Sequence, residues 1–231
     1  MEEILKEIIK NFAEKNKLEY IDNFEMKFVT DISEYIRNDD LKYYQQRKES
    51  IDDALGMLYE DLNGQLIILV KKQDEVNCLA TVIHEYVHLC DYNKLLQYHK
   101  NLTFRELQDD YVFLYWTEFH ATYLSYRYLI GMNPQKIDVI SVKDEVVNEL
   151  VDYNLSTCQP DRCEIMDKTV RAYGKYLALH DEFCDKLPLS PIKIFFYNKI
   201  FWKIYRFFIA HKTFDDFIVE YADFKKLLCE I

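Results

Sequence analysis

Glycine and proline are scarce in this chain, four of each among 231 residues. An all-β architecture needs turn residues at most strand connections, so the scarcity disfavours one and favours long helices. Basic residues are outnumbered by acidic ones, 29 against 40, for a formal net charge of -11. Phosphate neutralisation requires clustered Lys and Arg, so direct nucleic-acid binding is not expected. The six cysteines, Cys78, Cys90, Cys158, Cys163, Cys184 and Cys229, include no CxxC pair. Neither a zinc ribbon nor a disulfide scaffold is indicated, and free thiols are expected, although Cys158 and Cys163 flank a turn at Gln159-Pro160-Asp161-Arg162. The start, Met1-Glu2-Glu3-Ile4-Leu5-Lys6, lacks the positive and apolar regions of a secretory signal, which predicts a cytoplasmic protein. No transmembrane segment is expected either. The aromatic stretch Ile194 to Ile209 is interrupted by Asn198, Lys199, Lys203 and Arg206, against the roughly 18 apolar residues that a span needs. Those three cations fit the solvated edge of a packed helix.

What the chain does have is apolar material: 49% of it is hydrophobic and 16% aromatic. That supports a soluble globular protein with a substantial core, organised as one domain or a domain with a subdomain. Ile4, Leu5, Ile8, Ile9 and Phe12 recur at helical spacing, predicting a first helix over residues 2–16. The period then becomes that of strands, in Glu25 to Thr30, Met57 to Tyr59 and Gln65 to Val70. Asp61, Asn63 and Gly64 place a hairpin between the last two runs, and the polar stretch Asp39 to Asp53 reads as a loop or short helix. Asp74 suits the N-cap of a helix that continues to about Tyr98. Thr103-Phe104-Arg105-Glu106 fits a capping box, predicting one long helix from Thr103 to Ile130, stopped by Gly131-Met132-Asn133-Pro134. Further helices are expected over Val142 to Leu155, Asp161 to Leu187, Pro191 to Ala210 and Thr213 to Cys229. The fold class is α+β, with a small antiparallel or mixed sheet, and the plausible boundary at Gly131 to Lys136 divides it into 1–130 and a helical 131–231.

Within the Asp74 helix lies Thr81-Val82-Ile83-His84-Glu85-Tyr86-Val87-His88-Leu89-Cys90, an H-E-x-x-H sequence. Residues four apart share a helix face, so His84 and His88 can turn their imidazoles towards one ion. Glu85, one residue on, suits a base acting on water activated by that ion. Val82, Ile83, Tyr86, Val87 and Leu89 predict burial on nearly all sides, where imidazoles and a carboxylate are costly without a partner. A third ligand is needed. In the next helix Glu118 interrupts an apolar stripe of Leu107, Tyr111, Leu114, Ala121, Ser125 and Tyr128. A carboxylate there requires a metal or a buried Arg or Lys. His84, His88 and Glu118 would form a two-His-one-Glu zinc site with an open position, although other divalent ions suit similar ligands. Asp91 stays on the ligand face, either orienting a histidine or solvated. Tyr111, Tyr115, His120 and His180 are candidates to stabilise a developing oxyanion, with His120 on the face opposite Glu118 and so better suited to packing. Cys78 suits the core. No histidine stands six residues after His88, so the longer H-E-x-x-H-x-x-G-x-x-H pattern is absent.

With the motif and Trp116-Thr117-Glu118-Phe119-His120-Ala121 taken together, the sequence resembles the ImmA/IrrE family of zincin metallopeptidases over roughly Leu55 to Ile130. His84, Glu85, His88 and Glu118 match that family's motif. The resemblance implies a zincin-like core in residues 1–130 with one zinc per chain; the helical region 131–231 is expected, from its own pattern, to form a subdomain packed on that core. It also implies a protein or peptide substrate, of the repressor or other regulatory type that members cleave, and a regulatory protein partner. The C-terminal region from Ile137 onward has no counterpart in the resemblance. The leading expectation is a zinc-dependent endopeptidase of narrow specificity. Its rival is a non-catalytic zincin scaffold with a structural or absent metal, and a plain helical interaction protein stands third.

Overall fold

The apolar run in the first half of the chain becomes the centre of a small mixed sheet in the computed structural model, which describes residues 2–155, 162–188 and 199–230. Strand β3 (Leu66–Lys71) lies between β1 (Glu25–Val29), parallel to it, and β2 (Gly56–Glu60), antiparallel to it. Ile67, Ile68, Leu69 and Val70 are all fully buried, which explains why the sequence there is continuously apolar and not alternating. A parallel neighbour requires a crossover of a dozen or more residues. Residues 30–55 supply it, as the helices α2 (Ile32–Asp39), α3 (Leu41–Gln46) and α4 (Lys48–Asp52). The stretch from Asp39 to Asp53 is therefore mostly helical, with Asp31 and Asp40 accepting from Glu34 N and Tyr43 N as N-caps. Ile32, Ile36, Tyr43 and Ile51 cluster with Tyr59, Ile67 and Leu69 on one face of the sheet. Alternation turns Ile68 and Val70 to the other face, where α5 (Glu75–Tyr98) packs on β2 and β3.

The hairpin between β2 and β3 closes as the sequence predicts. Asp61 Oδ1 accepts from the backbone of Asn63 and Gln65, and Gly64 takes a φ of 79°, a conformation that glycine adopts without steric cost. Helix α1 (Glu2–Lys15) buries Ile9, Phe12 and Ala13 and contacts α5. Residues Met1–Glu106 form one compact unit and Leu107–Ile231 a second.

The capping box at Thr103 is formed, Thr103 Oγ1 and Glu106 Oε2 each serving the other's backbone N–H. The helix that it opens, α6 (Phe104–Leu107), is a single turn. The expected continuous helix from Thr103 is thus two, because Asp110 accepts from Val112 N and Phe113 N and starts a new one, α7 (Tyr111–Met132). Helix α7 runs through Gly131 and ends at Asn133, before Pro134.

In the second unit α7 packs along α9 (Arg162–Glu182), and α8 (Val139–Leu155) covers α9 in turn. The approach is close at Gly174, where a Cβ would stand 2.8 Å from Phe119 O. The remaining helices are α10 (Lys199–Ala210), α11 (Phe214–Val219) and α12 (Tyr221–Leu228). The helix expected over Thr213 to Cys229 is divided at Glu220. Their aromatic rings close round α7, with Trp116 stacked on Phe217 at 4.4 Å and Phe119 on Phe208 at 4.2 Å. Trp116 Nε1 donates to His211 O, satisfying the only polar atom of a fully buried indole. Among the described residues no helix is long and apolar enough to cross a membrane. The turn at Cys158 and the start of the helix expected from Pro191 lie outside the described residues.

Candidate metal centre

Helix α5 begins with an N-cap in which Asp74 accepts from Val76 N and Asn77 N, and its middle is buried on nearly every side. Val82, Ile83, Tyr86, Val87 and Leu89 are all fully buried, as the apolar context of the motif requires. Tyr86 is anchored through its hydroxyl, which accepts from Ile21 N at 2.9 Å. Cys90 lies against Glu19 O, and burial pushes its thiol well above the ordinary range. It is an inert core thiol and not a nucleophile.

His84 and His88 share one face. Their Nε2 atoms stand 3.0 Å apart, with ring planes at 79°. Two nitrogens held at about 2.0–2.1 Å by one tetrahedral ion stand roughly 3.3 Å from each other. The separation observed is therefore within a few tenths of an ångström of that in a tetrahedral site. Directly bonded, one ring would donate and the other accept, which commits a tautomer of each.

Glu85 points elsewhere, towards the sheet. It is 7% exposed, and no hydrogen bond or ion pair engages its carboxylate among the described residues. Its Oε1 lies 2.9 Å, and Thr81 Cγ2 2.2 Å, from where a Cβ on Gly56 would sit. Only the absence of a side chain at the first residue of β2 lets the Glu85 carboxylate lie there. Among the described residues β2 has β3 as its single partner in the sheet, so Glu85 sits beside the beginning of an edge strand. The sequence offered one signal for this role of Gly56: a rare glycine opening a strand.

Glu118 lies in the buried middle of α7 and is 8% exposed. The cation that the sequence admitted as an alternative to a metal is present. Arg171, on α9, brings Nη2 to 3.0 Å from Glu118 Oε2 and Nε to 3.1 Å from Asp167 Oδ2. The contact with Glu118 is an ion pair without hydrogen-bond alignment. Nothing in the sequence singles out Arg171, since only the pairing of α7 with α9 brings it to Glu118. In the first unit His84 and His88 offer two imidazole ligands side by side, and in the second Glu118 offers a buried carboxylate. Two imidazole nitrogens and a carboxylate oxygen are a donor set that suits zinc.

The other sequence candidates are placed as follows. Asp91 is 1% exposed, one turn beyond His88 on α5. Tyr111 opens α7 half-exposed, its ring against Tyr115 and its hydroxyl directed to Cys229. Tyr115 is buried. His180 is held by its neighbour, with Nδ1 3.2 Å from Asp181 Oδ1. Asp181 also accepts from Tyr123 and Lys212, whose hydrogen bonds hold its carboxyl below the usual range against the effect of burial. His120 is buried and stacked on Trp116 at 4.7 Å, a packing position.

Comparison of the chain with family models, with curated proteins and with solved structures finds no match.

Proposed function

We propose that this chain is a zinc-dependent endopeptidase of narrow specificity. The observation that carries the reading is Glu85, a buried carboxylate engaged by no described residue, one position from a histidine whose Nε2 faces a second at 3.0 Å. A purely structural metal site, or a helix without metal, has no use for an uncompensated buried acid, which costs stability. In the proposed reaction His84 and His88 bind the ion through Nε2, and Glu118 supplies the anionic ligand. A zinc ion held by these residues would supply Lewis acidity, lowering the pKa of water towards neutrality and polarising a carbonyl. Glu85 would accept one proton of the attacking water and deliver it to the departing amine nitrogen as the peptide C–N bond breaks, while the water oxygen stays on the acyl carbon as the new carboxyl group. The edge of β2 offers main-chain groups to an extended peptide beside Glu85. The likeness of H-E-x-x-H and the Glu118 helix to ImmA/IrrE zincins supports the same chemistry, and extends the proposal to a cytoplasmic enzyme acting on a regulatory, repressor-type protein.

A second reading has an observation in its favour. The Arg171 ion pair gives Glu118 a cation, as a non-catalytic scaffold would require. Metal analysis tests the shared metal site, and hydrolysis that is lost in Glu85→Gln with zinc retained separates an endopeptidase from a scaffold with a structural metal. Protein purified without chelator is expected to carry about one zinc per chain, to lose it to a strong chelator and to recover it on adding zinc. A preparation that holds no metal and takes up none on reconstitution would sink the endopeptidase reading.

Gly56 provides a subtler test. In Gly56→Ala the new methyl displaces Thr81 and Glu85, and about 1 Å of misplacement can cost on the order of a hundredfold in rate. Peptide hydrolysis should fall by about that factor with zinc content unchanged. Full activity in this variant would show that the Gly56 contact does not position the base.

A further inference from the structure

The contact between α9 and the proposed third ligand has a role of its own. We infer that Arg171 is a positioning residue for Glu118, holding the carboxylate in the orientation that the ion needs; this rests on the metal site proposed above. A glutamate side chain has three torsions, and α7 fixes only its root. The guanidinium holds Oε2 at 3.0 Å. An ionised carboxylate has about four lone-pair directions, more than one contact with Arg171 occupies. Arg171 is itself oriented, because its Nε donates to Asp167 Oδ2 one turn earlier on α9. The chain Asp167–Arg171–Glu118 thus runs from the half-exposed surface of α9 to a buried ligand of α7. Carboxylates that bind metals are commonly hydrogen-bonded or paired behind the ligand atom, and such partners set affinity as well as geometry.

The alternative is that Arg171 and Glu118 form a structural pair only, joining α7 to α9. Metal affinity and metal spectroscopy distinguish these roles. Zinc affinity, by competition with a chromophoric chelator, is expected to fall about 10- to 100-fold in Arg171→Ala, with Arg171→Lys intermediate because it restores the charge but not the planar fork. The visible absorption of the cobalt-substituted protein, which reports the ligand field, should change in Arg171→Ala and return towards wild type in Arg171→Lys. Asp167→Asn, which releases Arg171 without touching Glu118, should weaken zinc binding in the same direction and by less. Circular dichroism of each variant fixes the folded fraction to which affinities are referred. If folded Arg171→Ala binds zinc within twofold of wild type with an unchanged cobalt spectrum, Arg171 is structural and this inference fails alone. If Arg171→Ala does not fold, Asp167→Asn decides by the same criteria. Failure of the wild-type chain to bind zinc or cobalt would instead overturn the metal site itself.

Discussion

Glu85→Gln is expected to abolish peptide hydrolysis almost completely while leaving the zinc in place. Glutamine has nearly the size and shape of glutamate, so it fits the space against Gly56 that admits the native side chain. Glu85 is not one of the three proposed ligands, and its carboxylate faces Gly56, so metal binding is not expected to depend on it. What the substitution removes is the capacity to take a proton. General acid–base groups contribute about 10²- to 10⁴-fold, and Glu85 is asked to act twice, on the water and on the amine, so the loss should lie towards the upper end. The measurement is the appearance of cleaved products from a proteome-derived peptide library, with zinc quantified on the same preparation. A Glu85→Gln protein that cleaves within threefold of wild type would assign the base elsewhere, and one that loses its zinc would make Glu85 a ligand.

Glu118→Ala tests the other half of the site and is the variant expected to weaken the ion most through α7. Four-ligand structural zinc sites are worth about 10–16 kcal/mol, or roughly 2.5–4 kcal/mol for each ligand. By the tenfold-per-1.4 kcal/mol rule that is on the order of a hundred- to a thousandfold in affinity. The loss should therefore exceed the one expected for Arg171→Ala, since the first removes a ligand and the second only its support. Arg171 does not obscure the result. Its side chain is 42% exposed and keeps Asp167 as a partner, so it can turn to water when Glu118 is truncated. Chelator competition on folded Glu118→Ala protein provides the readout. Undiminished zinc affinity would remove Glu118 from the ligand set and leave it as the ion-pair partner of Arg171.

Much of the first unit was legible from local chemistry. Asp74 is the N-cap of α5, the Asp61–Gly64 turn joins β2 to β3, and the apolar residues round the H-E-x-x-H motif are buried. Each rests on neighbours within a turn or a hairpin, which sequence spacing encodes directly. The long helix predicted from Thr103 was misjudged for a related reason. Two capping signals lie seven residues apart, and the polar Gln108-Asp109-Asp110 between the apolar runs breaks the helix once Asp110 engages Val112 N and Phe113 N. The division at Glu220 was likewise missed, there being no Gly or Pro to mark it.

The sequence by itself determined which side chains carry the proposed chemistry, because a four-residue helical spacing puts His84 and His88 on one face whatever surrounds them. It also marked Glu118 as a polar misfit that had to have a partner, and left open whether that partner was a metal or a cation. Only the tertiary structure decided that Arg171 of α9 stands beside Glu118 and that Gly56 of β2 makes room for Glu85. These contacts depend on which helix packs against which and on a strand's place at the edge of the sheet, relations between distant residues that no local spacing records.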